Sequence, residues 1–228
     1  MQQQDLPIFT KVISLGNWCG PAYYLKHRGW KTESYPFDWN FSTLESLRLC
    51  FSDNFRAFLD KNRTVGGKNP QLPGHSFGHL PPNGLHCEEH FQYYSRCVNR
   101  IMKIKEYQGT PLFFVIPRPD NASITTIYTE TQKQEFFNFM NDFFPKAWIL
   151  FCEQKISTQR NISINIDASR RLIFCTMEFQ DFMPSNQWSQ QGNWDLFDRM
   201  FSSLKINVDP PSGNVLPPMV SLESNESI

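Results

Sequence analysis

Apolar positions along the chain fall into short continuous runs that alternate with stretches spaced at three and four residues, the alternation of strands with helices. Lys11-Val-Ile-Ser-Leu-Gly16 is a brief apolar run closed by glycine and predicts a buried strand. Asn17-Trp-Cys-Gly-Pro21 predicts a tight turn, with Pro21 placed for a first helical turn, residues 22–28 as the helix and Gly29 as its stop. Residues 32–37 read as extended, as the residue before Pro36 must be. Ser42-Thr-Leu-Glu45 has the form of a capping box, and Leu44, Leu47 and Phe51 share one face of the helix it opens; Phe55, Phe58 and Leu59 continue that spacing.

Five glycines and four prolines between residues 62 and 84 predict a long loop with room for a short hairpin, of the kind that serves as a lid or binding segment. Residues 87–107 predict a helix, with Phe91, Tyr94, Val98, Ile101 and Ile104 on one side. Strands follow at 112–116, 147–152 and 172–177, an alternating edge strand at 161–167, and helices at 130–144 and 194–204. This order predicts an α/β fold: one domain over residues 8–207, with a mostly parallel central sheet flanked by helices in a Rossmann-like three-layer arrangement. Residues 208–228, with two Pro-Pro pairs and a Ser/Asn/Glu ending, read as a disordered tail.

Composition narrows the function classes. The 228 residues carry 22 Lys+Arg against 22 Asp+Glu, so no broad basic footprint invites nucleic acid or an anionic membrane surface. No run reaches the roughly 18 apolar residues of a membrane span, and the start shows no signal-peptide pattern. Six cysteines without CxxC spacing read as reduced thiols, which places the expectation in the cytoplasm and leaves the five Asn-x-Ser/Thr sequons without consequence. No glycine-rich nucleotide loop is present, so no cofactor is expected.

Ligands of open α/β sheets bind beyond the carboxyl ends of the strands. The first such end holds Cys19 at the strand-to-helix junction, where free N–H groups and the helix dipole lower a thiol pKa and can hold an oxyanion. Gly16 and Gly20 leave room for a substrate to approach backbone.

Ile13-Ser-Leu-Gly16, then Cys19, Ala22-Tyr-Tyr-Leu25 and Glu33-Ser-Tyr-Pro-Phe-Asp-Trp39 resemble the opening of a family described as papain-like cysteine peptidases, and Phe77-Gly-His79 and the basic stretch from Arg96 to Arg100 resemble its later elements. The resemblance covers about residues 10–205 and is most specific over 12–40. It implies a Cys-His-acid arrangement: Cys19 as nucleophile, a histidine as its base and Asp38 as the group that orients it. All five histidines (His27, His75, His79, His86 and His90) lie at or before position 90, so the base comes from the Gly/Pro loop or the helix after it, with His79 preferred and His75 second.

Other readings stay open at this point. A nucleophile directly after the first strand also suits acyl transfer or ester hydrolysis on a glycan, and a non-catalytic glycan- or phosphate-binding module could place Asn17, Trp18 and Trp39 at its crevice and Arg96 and Arg100 on an anion. Asp38 could instead cap a local turn, and a buried Asp needs a partner in either role. His86-Cys-Glu-Glu-His90 has the form of an inverted zinc motif but lacks a clear third ligand, so no metal is expected. Cys50, Cys152 and Cys175 read as core thiols.

Overall fold

The computed structural model describes residues 6–16, 19–77, 84–116, 128–159, 161–179 and 194–208. Its elements are β1 (Ile8–Phe9), β2 (Lys11–Ser14), α1 (Gly20–His27), β3 (Asn40–Phe41), α2 (Leu44–Ser52), β4 (Ser76–Phe77), α3 (Glu88–Met102), β5 (Pro111–Val115), α4 (Glu130–Phe143), β6 (Trp148–Ile156), β7 (Asn161–Asp167), β8 (Leu172–Phe179), α5 (Trp194–Ser202) and β9 (Lys205–Ile206). Five strands make the central sheet in the order β2-β5-β6-β8-β7. The first four run parallel. β7 is antiparallel to β8, because only residues 168–171 join the two and so short a connection cannot carry the chain back for a parallel pairing. The fold is therefore the expected α/β layering around a mostly parallel sheet.

β5 is buried along its whole length, and its alternation sends Phe113 and Val115 to one face and Leu112 and Phe114 to the other. On the first face α2, α3 and α4 build an aromatic core. Phe51 stands at its centre, with Phe37, Phe55, Phe143 and Phe144 at ring-centroid distances of 5.9, 5.2, 5.4 and 5.2 Å. Tilted and edge-on rings of this kind add about 0.5–1.5 kcal/mol per pair beyond area burial. On the second face α1 and α5 pack through Tyr24, Leu25, Phe197 and Phe201, and Cys152 and Cys175 lie opposite each other in β6 and β8, both fully buried.

Three local differences from the sequence reading matter for the site. The capping box of α2 starts one residue later than its pattern suggests: the Thr43 hydroxyl accepts from the Ser46 N–H, and Ser46 returns the bond to the Thr43 N–H. That shift frees Ser42 for another partner. The apolar spacing through Phe58 does not extend the helix. α2 ends at Ser52 and the chain turns at Asn54 and Phe55, both with positive φ (56° and 62°), which tucks Phe55 and Phe58 under the helix. Third, the long loop is anchored by β4 pairing antiparallel with β3, an arrangement dictated by contacts far apart in sequence. β1 and β9 form a further two-stranded parallel ladder that their few residues did not reveal.

Candidate active site at the end of the first core strand

β2 lies at the edge of the sheet, and its pairing with β5 continues past Ser14 through the Leu15 N–H, which donates to the Phe114 carbonyl at 3.1 Å. Gly16 then turns the chain with φ +87°. A Cβ there would stand 3.1 Å from both the Cβ and the carbonyl oxygen of Phe37, so only glycine lets this turn lie against the Phe37 backbone. Asn17 and Trp18 lie outside the described residues. Cys19 follows as the N-cap of α1 with helical φ and ψ, and its carbonyl accepts the first helical bond from the Tyr23 N–H at 2.9 Å. The expected strand before the junction and helix after it are thus present, with Gly20 and Pro21 opening the helix.

The thiol itself differs from the expectation. Cys19 is half-buried, and burial pushes its pKa up, with a smaller opposing effect from its own backbone. The helix-terminal stabilisation expected of a thiolate does not win here. Pro21 removes one donor from the first turn, and among the described residues no side chain hydrogen-bonds the sulfur. Burial therefore favours the protonated thiol over the thiolate.

Asp38 is fully buried in the turn that faces Gly16. Its Oδ2 accepts from the Tyr35 N–H at 2.7 Å and forms an ion pair with Lys31, itself 6% exposed. Burial raises the Asp38 pKa, and Lys31 opposes that shift. The sequence offered an imidazolium as its partner; the structure supplies the Lys31 ammonium, seven residues upstream in the same segment. Lys31 also donates to the Glu33 carbonyl at 2.6 Å. Glu33 in turn binds Lys11 at 2.8 Å and accepts from the Tyr35 hydroxyl at 3.0 Å. Asp38 and these neighbours pin the Ser34–Asp38 turn from below.

Arg100 belongs to the same framework. It donates to the Ser34 carbonyl at 3.2 Å and lies 4.0 Å from the Glu33 carboxylate, so it braces the turn. Arg96 is exposed on α3. Trp39 is half-buried beside the buried Asp38.

His75 sits between the loop and the core. Its Nδ1 lies 3.0 Å from the Ser42 hydroxyl, and its ring packs against Phe77 (4.8 Å, edge-on) and Phe58 (5.2 Å). Burial holds its pKa down at about 4, partly offset by the Phe41 carbonyl, so the ring is neutral at physiological pH. Its Nε2 is buried with no hydrogen-bond partner among the described residues. His75 therefore ties the Gly/Pro loop to the start of α2. His79, the preferred base, lies outside the described residues. His86 stands in a short 3-10 turn (Gly84–His86) and His90 in α3, so the two do not share one helical face; among the described residues no three His, Cys, Asp or Glu side chains converge as metal ligands.

Lys31, Tyr35 and Ser42 are the site residues that sequence reasoning missed. A buried Asp demands a partner, and Lys31 was the nearest upstream cation that could meet it. Nothing local pointed to the Ser42–His75 pairing, which spans 33 positions.

A cysteine at the N-cap of the helix after the first core strand of a parallel α/β sheet, with a charge-pinned Pro-Phe-Asp-Trp turn against the Gly16 that ends that strand, defines a thiol-bearing α/β protein. The chain belongs to the family described as "Putative papain-like cysteine peptidase" (DUF1796), whose model matches residues 10–165 and so takes in Cys19, the Pro-Phe-Asp-Trp turn, the sheet strands β2, β5 and β6, and most of β7. No curated protein and no solved structure matches the chain. No helix among the described residues is long and apolar enough to cross a membrane.

Proposed function

We propose that the protein is a cysteine-dependent hydrolase in which Cys19 attacks an acyl or amide carbonyl and His79 takes the thiol proton and returns it to the leaving group. The observation that carries this reading is the position of Cys19: the family match spans a half-exposed thiol at the carboxyl end of a core strand, while Cys50, Cys97, Cys152 and Cys175 are buried. The Gly20 N–H, in the first turn of α1, would stabilise an oxyanion on the adduct. Asp38 acts as a positioning residue: its bond to Lys31 fixes the turn against which Gly16, and hence the Cys19 turn, is set. Gly16, Asn17, Trp18, Gly20 and Trp39 would line the substrate crevice. The six unpaired thiols favour a reducing compartment, in keeping with a cytoplasmic enzyme.

A peptide-like electrophile, such as an acyloxymethyl ketone, with mass-spectrometric mapping of the labelled site tests the proposal. Cys19 should label faster than Cys87, the other half-exposed thiol, and His79→Ala should slow that reaction at least tenfold. Equal labelling of Cys19 and Cys87, or indifference to His79→Ala, would overturn it. The raised thiol pKa and the commitment of Asp38 to Lys31 favour one second reading, a glycan-binding module using the same crevice. That reading predicts ligand binding that survives Cys19→Ser and no preferential labelling of Cys19.

A further inference from the structure

β7 is the outermost strand of the central sheet. One of its edges pairs with β8 along its full length, from Asn161↔Glu178 to Asp167↔Leu172. Among the described residues nothing pairs with the other edge. Sheet proteins normally blunt such an edge with charge, proline or brevity, because its free N–H and C=O groups are a template for another strand. β7 shows none of these devices over its first six residues: Asn161-Ile-Ser-Ile-Asn-Ile166 carries no charge and no proline. At seven residues it is also longer than β2 or β5, which have four and five.

The two faces of the strand are sharply divided. Ile162, Ile164 and Ile166 pack half-buried against the α5 side, and Asn161, Ser163 and Asn165 are exposed on the other. The five residues from Asn161 to Asn165 read the same in both directions about Ser163. An antiparallel copy related by a two-fold axis at Ser163 therefore matches side chain to side chain. Ser163 meets the partner's Ser163, Ile162 meets the partner's Ile164, and Asn161 meets the partner's Asn165. Opposed isoleucines and opposed amides or hydroxyls are favourable cross-strand pairs. No charge faces a like charge in this register, and a formal net charge of +0 leaves little long-range repulsion between copies.

We propose that the outer edge of β7 is a self-association edge, through which two copies of this chain join antiparallel about a two-fold axis at Ser163 and their sheets become continuous. An isologous interface requires a self-complementary patch, which this strand supplies. The chain's own residues beyond 208 are a poorer occupant, because Pro210, Pro211, Pro217 and Pro218 lack the N–H a ladder needs.

Sedimentation velocity of the full chain over a concentration series tests this. The wild type should show a concentration-dependent monomer–dimer equilibrium. Ser163→Lys and Ser163→Glu should each be monomeric, since each sets like charges opposite one another at the axis, and an equimolar mixture of the two should recover a dimer. Ser163 is exposed, so both variants should keep the wild-type circular dichroism spectrum and melting temperature. A wild type that stays monomeric up to its solubility limit overturns the proposal. So does a Ser163→Lys protein that still dimerises, a mixture that does not associate, or a dimer that forms only after residues 209–228 are removed.

Discussion

His75 offers the sharpest test of how the Gly/Pro loop is held. Its imidazole is 3% exposed between Phe58 and Phe77, and burial depresses its pKa to about 4. An unfolded chain gives a histidine its ordinary pKa of about 6.5. Between these values the unfolded state binds the extra proton, so stability rises with pH through that window and falls as the solution is acidified from about 6.5 toward 4. Each pKa unit corresponds to about 1.36 kcal/mol, so the whole effect is about 3 kcal/mol, of which about 2 kcal/mol is lost between pH 7 and pH 5. The perturbation is His75→Phe, which keeps a ring between Phe58 and Phe77 but cannot titrate. Urea unfolding of wild type and variant at pH 7, 6 and 5 gives two stability curves. Subtracting them cancels the carboxylates they share. The wild type should lose about 2 kcal/mol more than the variant on going from pH 7 to pH 5. Parallel curves would refute the reasoning, because they would mean that the imidazole is solvated or already paired in its charged form.

Three further outcomes test the Cys19 surroundings. Lys31→Met strips the buried Asp38 of its counter-charge and should cost about 3–5 kcal/mol in chemical denaturation at neutral pH, while the Lys31→Met/Asp38→Asn double variant should recover most of that loss. Gly16→Ala forces a side chain into a left-handed φ of +87° and against Phe37, and should lower stability by about 1–3 kcal/mol in the same assay. Because burial raises the Cys19 thiol, its iodoacetamide rate in the His79→Ala protein should climb with pH to a midpoint above the ordinary thiol value of about 8.5, and a midpoint below that value would show that a cationic group other than His79 already reaches the sulfur.

The architecture was legible in the sequence wherever one element carried its own signal. The run at 112–116, the alternation at 161–167 and the three- and four-residue spacing of 87–107 each matched an element within a few positions, because burial on one or both faces writes its period directly into the chain. The end of α2 was not legible. Phe55 and Phe58 keep a helical spacing, yet they belong to a reversal stabilised by burial against Phe37 and Phe77, a tertiary gain that overrides local pattern. The site divided in the same way. The Cys19 junction follows from a strand, a glycine and a well-placed proline. The partners of Asp38 and His75 depend on which buried polar groups meet across the fold, and periodicity carries no information about that.

The geometry also narrows how Cys19 could be activated. The thiol sits where burial disfavours the thiolate, so the proposed reaction calls for a base to take its proton. His27 ends α1 (Gly20–His27); at 1.5 Å per residue its Cα lies about 12 Å along the axis from Cys19, beyond hydrogen-bond reach. His75 is anchored to Ser42 inside an aromatic enclosure, and protonating it there is unfavourable, which makes it a poor proton acceptor at neutral pH. Asp38 is spent on Lys31 and the Tyr35 N–H. What remains is the stretch from His79 to His90, which follows β4 and leads into α3. β4 is tied to β3 directly after the Pro-Phe-Asp-Trp turn that abuts Gly16, and His79 follows two residues after the end of β4 in sequence, outside the described residues. His75, to serve as the base of the proposed reaction, would first have to give up Ser42 and its packing against Phe58 and Phe77.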